Sequence, residues 1–380
     1  MTSRILAGTA DSWRSRRTGV KWGVYPADVL PLWVAEMDAE PCEPVIDAVT
    51  AALRRGDTGY GLGREFVETA AAYAGRTWSW TIDPSRVTPV ADVICGVSEL
   101  LRSVTSPGDP VIVSSPVYNA FFDALDMLGR KTLDAPLNAE GRLDPESLDR
   151  TFGEATAGGE RAAYLLCNPQ NPTGTVHTAA DLATLAEIAN RHGVVVISDE
   201  IHAPIVHQGR FTPYLTVPGG ERGVALHSAS KAWNLAALKS AVVVLGGEAL
   251  PELALHEVHT HASSHLAQIA SVAAWTSGED WLRQLTSEIA DNAALLGELL
   301  SEQLPRIGYV PPASTYLAWL DCRELDLGDD PSVQFRDRGR VALSSGPSYG
   351  ATGVGFVRLN LATSPEILTE AVARMARALS

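Results

Sequence analysis

The chain has 380 residues, 46% of them apolar and 20% charged, which is enough for a large core and two subdomains. A formal charge of −15 argues against a broad basic face for nucleic acid or an anionic membrane, leaving only local basic pockets. No apolar run approaches the roughly 20 residues needed to span a bilayer, and the opening "MTSRILAGTADSWRSRRTG" lacks a signal-peptide core. Cys42, Cys95, Cys167 and Cys322 lie far apart, with neither a CxxC pair nor metal-like spacing. Reduced thiols in a cytoplasmic protein are therefore expected.

Residues 1–45 read as an irregular segment that packs on a C-terminal domain. A large domain is expected over 46–282, where short apolar runs alternate with helical patterns. Strands are predicted at "DPVIVSSP" (109–116), "AAYLLCNP" (162–169), "GVVVISDE" (193–200) and "SAVVVLGG" (240–247). Between them "TAADLATLAEIANRHG" (178–193) is an amphipathic helix, with Thr178 as N-cap and Gly193 as its stop. Such alternation predicts an α/β fold with a mainly parallel sheet, whose ligands sit beyond the carboxyl ends of the strands. Over 283–380 a long helix, the strands "TYLAWLD" and "GFVRLNLA" and a final helix suggest a smaller α+β domain.

Four features carry chemistry. The buried strand ending in "VVVISDEIH" finishes with Asp199, Glu200 and His202, and desolvated carboxylates require a cationic partner. "NPQNPTG" (168–174) is a rigid turn that fixes an asparagine amide at one point. "HSASKAWN" (227–234) sets Lys231 behind small polar residues, where a desolvated amine of lowered pKa suits Schiff-base chemistry and the serines suit a phosphate. "GFVRLNLA" holds Arg358 inside an apolar strand, where its fork fits a carboxylate. Each has a plainer reading: a solvated loop, a simple turn, a snorkelling lysine, an outward-facing arginine.

Taken together, these segments resemble the fold-type I pyridoxal-phosphate enzymes of the class I/II aminotransferase family, from "LPLWVAEMD" (30–38) to "FVRLNLAT" (356–363). "SDEIH", "SKAWN" and "WVAEMD" are most similar to the bacterial cystathionine β-lyase and cysteine-S-conjugate β-lyase branch. The resemblance implies pyridoxal 5′-phosphate as cofactor, an amino acid as substrate and a homodimer with shared active sites. It implies that Lys231 forms the Schiff base and moves the Cα proton, Asp199 pairs with the pyridine nitrogen, and Tyr118 stacks on the ring. Asn171 and His202 lie near the cofactor's phenolic oxygen, and Glu200 faces away. Ser228, Ser230, Lys239 and the backbone at Asp92 and Val93 hold the phosphate, joined by Tyr60 from the neighbouring subunit. Arg358, with Asn171, Tyr60, Ala35 and His265, faces the substrate.

Three positions depart from the family pattern. Asp92 stands where a small residue is common, and is expected to turn back and cap its helix. Lys239 replaces a phosphate-binding arginine, and Glu36 an aspartate near the substrate entrance. The histidine-rich "HEVHTHASSH" (256–265) has irregular spacing and no nearby Asp or Cys, so it is read as a rim segment with no metal, His265 reaching the partner's site. The expected activity is β-elimination from cystathionine or a cysteine conjugate. Transamination, a specialised cysteine-conjugate role in secondary metabolism, and a non-catalytic regulatory protein are the alternatives.

Overall fold

The computed structural model describes residues 4–253 and 255–379. Its strands are β1 (Leu30–Pro31), β2 (Val87–Val90), β3 (Pro110–Val113), β4 (Lys131–Asp134), β5 (Ala163–Cys167), β6 (Val195–Asp199), β7 (Val224–His227), β8 (Ala241–Leu245), β9 (Gly308–Tyr309), β10 (Leu317–Asp321), β11 (Val341–Ala342), β12 (Ser344–Ser345) and β13 (Phe356–Asn360). Seven of them form one sheet in the order β2-β8-β7-β6-β5-β3-β4. The run from β7 to β4 is parallel, and β8 opposes both of its neighbours. β5 and β7 are buried at every position and β6 at all but its first. That is why their sequences run apolar without alternation: helices cover both faces.

Local signals agree with the elements they predict. Thr178 accepts from the Asp181 N–H at 3.1 Å while Asp181 accepts from the Thr178 N–H at 2.8 Å, so the helix Ala179–His192 starts on a reciprocal cap. It stops at Gly193, whose φ of 70° favours glycine. The predicted strands at 109–116, 162–169, 193–200 and 240–247 shorten at their ends to β3, β5, β6 and β8. β2, β4 and β7 carry too short a pattern to be read in advance, and β4 lies exposed at the sheet edge.

The second sheet is antiparallel, in the order β12-β13-β10-β9. The helix Glu279–Gln303 joins the two halves of the molecule. Leu282, Leu285 and Ile289 of its first turns enter a core shared with β7 and β8, whereas Leu296, Leu299 and Leu300 enter the core of the C-terminal sheet. The N-terminal segment bridges the same two cores. Trp13, Trp22 and Leu32 pack on the C-terminal side, while Ile5, Leu6 and Met37 pack on the other. A wholly buried pair, Lys21 Nζ to Asp38 Oδ2 at 2.8 Å, pins this segment, and the Trp22 indole and Thr363 hydroxyl also donate to that carboxylate. Among the described residues no helix is long and apolar enough to cross a membrane.

Candidate active site

Because side chains alternate along a strand, the end of β6 sends neighbouring carboxylates in opposite directions. Asp199, 3% exposed, lines a cavity of about 280 Å³ at the carboxyl ends of β5 and β6. One of its oxygens accepts from the Ile201 N–H at 3.1 Å. Burial pushes this carboxyl up to about 6, against the opposing pull of the Ile201 N–H and the Lys231 cation. Glu200 turns away from the cavity. It accepts from the Ser198 hydroxyl at 3.0 Å and the Tyr214 N–H at 2.8 Å, and lies 2.9 Å from His227 Nε2. Its role is structural, as the alternation requires.

Lys231 faces Asp199 across the cavity and donates to the Ala35 carbonyl at 3.0 Å, which also accepts from the Tyr316 hydroxyl at 3.0 Å. Burial, followed by the nearby Arg358 guanidinium, brings the amine down to about 8. An amine lowered this far is still mostly ammonium at pH 7, yet it gives up its proton far more readily than an exposed lysine. His202 is buried against the edge of Tyr316, ring centroids 5.8 Å apart, and burial holds its imidazole well below the usual range. Tyr118 lines the cavity, with its hydroxyl pushed up to about 12 by burial.

The asparagine turn is held from behind. Gln170 donates to the Ser114 and Pro116 carbonyls, and a Cβ at Gly174 would collide with Pro312 and the Ser314 carbonyl. Asn171 therefore has a fixed side chain: its Oδ1 accepts from Arg358 at 3.0 Å, which leaves the Nδ2 end for the cavity. Arg358, 4% exposed on β13, also donates to the Trp33 carbonyl at 3.0 Å and lies over the Tyr349 ring. Among the described residues His202 Nδ1 and Arg358 Nε are buried polar atoms without a partner. Unsatisfied buried polar atoms beside an aspartate and an amine mark a site built for a polar ligand.

The opposite end of the cavity is made by Asp92, Val93, Ile94, Ser230 and Lys239. Asp92 caps the helix Val93–Val104, as its position suggests, by accepting from the Cys95 N–H at 2.8 Å. A helix N-terminus, a hydroxyl and an ammonium together suit an anion. Ser228 departs from the expectation. Its hydroxyl donates to the Ser240 carbonyl at 2.7 Å and accepts from the Ser230 N–H at 3.0 Å, so it shapes the turn before Lys231 instead of lining this cavity. Ala35 does line it. Tyr60 and His265 do not: within one chain they line a separate recess, with His265 Nε2 3.0 Å from Asp57 and Tyr60 94% exposed. Among the described residues no group of three His, Cys, Asp or Glu side chains could hold a metal. Tyr316 and Cys167 belong to the site without having been singled out from the sequence. Tyr316 meets Ala35 over a separation of 281 residues, which no local pattern encodes.

Comparison with known proteins agrees with this geometry. The family model "Aminotransferase class I and II" matches residues 27–375. A Mycobacterium tuberculosis (strain H37Rv) protein named "Putative cystathionine beta-lyase" is 48% identical over 98% of this chain and 97% of its own length. Cystathionine beta-lyase PatB of Bacillus subtilis (strain 168) is 30% identical over 96% and 95%. A crystal structure described as a "putative plp-dependent beta-cystathionase" from Corynebacterium diphtheriae superposes with a TM-score of 0.91, at 33% identity and 99% coverage of both chains. With the match running through both sheets and every segment of the cavity, the chain belongs to the class I and II aminotransferase family.

Proposed function

We propose that this protein is a pyridoxal-phosphate-dependent C–S β-lyase, which converts cystathionine or a cysteine S-conjugate into a thiol, pyruvate and ammonia. The observation that carries the reading is Lys231 and Asp199 lining one cavity beside the Arg358–Asn171 contact. The relatives named cystathionine β-lyase favour elimination within a family that also transaminates. The residues present fit the cofactor. Asp199 is a buried carboxylate suited to a ring cation, Tyr118 offers an aromatic face, and Ser230, Lys239 and the helix N-terminus suit a phosphate.

When bound, pyridoxal phosphate supplies a carbonyl that takes up the substrate's amino group and a ring that stores the electron pair left at Cα. The chain supplies the rest. Arg358 fixes the substrate carboxylate bidentately and so places the Cα proton toward Lys231. Lys231 Nζ removes that proton as a base, a role matched to an amine brought down to about 8. Asp199 would balance the charge of a protonated ring nitrogen, and Asn171, whose Oδ1 is engaged by Arg358, would offer its Nδ2 to the bound group as a donor. Once the pair at Cα moves toward Cβ, the C–S bond breaks and sulfur leaves as thiolate. Lys231 then holds a proton that can be returned to the leaving group. Water hydrolyses the released enamine to pyruvate and ammonia.

The exposure of Tyr60, away from its own chain's cavity, supports a homodimer in which Tyr60 and His265 complete the partner's site. Cysteines without disulfides support a reducing, cytoplasmic setting. Thiol release from cystathionine and from an S-aryl cysteine, followed with a thiol reagent, tests the reaction. Release that needs no keto acid is expected, and its absence from every thio-conjugate would overturn the reading.

A further inference from the structure

The anion end of the cavity contains its own anion. Lys239 Nζ lies 3.0 Å from Asp92 Oδ2, while Asp92 Oδ1 accepts from the Cys95 N–H at 2.8 Å. One carboxylate therefore engages both the ammonium and the first turn of the helix Val93–Val104, two of the three features that suit a phosphate. Burial works against this charge, but the Cys95 N–H and Lys239 hold Asp92 below the usual carboxylate range, so it is ionised at neutral pH. An incoming dianion meets a pair of zero net charge in place of a free cation. The pair is also partly open to water, with the Lys239 side chain 59% and Asp92 31% exposed, so salt reaches it.

We propose that Asp92 is an affinity-setting residue, an internal competitor that occupies Lys239 and the helix terminus and thereby weakens binding of the cofactor's phosphate. The inference rests on the cofactor reading above and deepens it. It assigns Asp92 a second action besides capping: it holds the chain's affinity for the phosphorylated cofactor below what the same cavity would reach with a neutral cap.

Asparagine and serine cap helices as well as aspartate does, so Asp92→Asn and Asp92→Ser remove the charge and keep the hydrogen bond to Cys95. The full chain, freed of cofactor by dialysis against hydroxylamine, is titrated with pyridoxal phosphate and with pyridoxal, which lacks the phosphate. Quenching of tryptophan fluorescence reports binding. Asp92→Asn should lower the Kd for pyridoxal phosphate by roughly tenfold at low salt, and by less at about 1 M salt. Pyridoxal affinity should stay as in the unsubstituted chain. Lys239→Gln, which leaves Asp92 alone at this end, should weaken pyridoxal phosphate and again spare pyridoxal. Asp92→Ser guards against a fault specific to asparagine. Unchanged or weaker binding of pyridoxal phosphate by both Asp92 variants would overturn the inference, and so would equal changes for the two ligands. An unsubstituted chain that binds neither ligand would instead overturn the cofactor reading, and this inference with it.

Discussion

Asp199 is the residue whose replacement separates function from stability most sharply. In the cofactor-free chain its carboxylate is buried, and the carboxyl rises from 3.8 to about 6. The folded chain thus holds this proton more tightly than the unfolded one between those values. Stability is therefore lost as pH rises through that window, and the loss is complete above about pH 7. Converted by linkage, the ionised carboxylate costs the folded chain about 3 kcal/mol at pH 8 and almost nothing below about pH 3. Asp199→Asn keeps an oxygen for the Ile201 N–H and removes the charge. Urea unfolding of the cofactor-free chains should then show the variant more stable by about 2–3 kcal/mol at pH 8, with the two curves converging near pH 3. The same variant should lose most of its lyase activity, because the electron sink has lost its counter-charge. Equal stabilities at pH 8 would refute the idea that Asp199 is held at an energetic cost for function.

The other predictions concern single contacts. Lys231→Ala should abolish turnover, and borohydride reduction should leave no cofactor on the chain; labelling of another lysine would remove the base assigned here. Arg358→Ala should weaken every α-amino acid substrate by about 2–5 kcal/mol, read as KM or as inhibitor Kd, since one partner of a buried charged contact is lost. Lys21→Ala leaves Asp38 buried and unpaired, and should lower unfolding free energy by about 3–5 kcal/mol in a denaturant titration.

Much of the site was legible because its chemistry breaks local pattern. A strand that ends in carboxylates, a lysine behind small polar residues and an arginine inside an apolar strand each stand out from what burial alone selects. What local pattern does not carry is which way a side chain turns after a strand, and what it meets from far along the chain. Ser228 and Ser230 are two residues apart in one motif, yet Ser228 is spent on the Ser240 carbonyl while Ser230 lines the cavity. Asn171 meets Arg358 across 187 residues, and Lys239 meets Asp92 across 147. Only the fold brings those partners together. In the same way the alternating cores explain why the N-terminal segment serves both halves: its tryptophans and its Ile5–Leu6 pair face opposite sides. Short strands such as β2 and β7 are paired by their neighbours more than by their own four residues.

The central claim is that the electron pair freed at Cα expels sulfur from Cβ. The fate of the substrate's nitrogen tests this most directly. Purified protein with pyridoxal phosphate is given cystathionine labelled with nitrogen-15 at the amino group next to the scissile side, with and without an added keto acid. Elimination predicts labelled ammonium in equal amount to pyruvate, at a rate the keto acid does not change. Labelled nitrogen recovered in a new amino acid, dependent on the keto acid and without pyruvate, would contradict the account and make transamination the activity of this cavity.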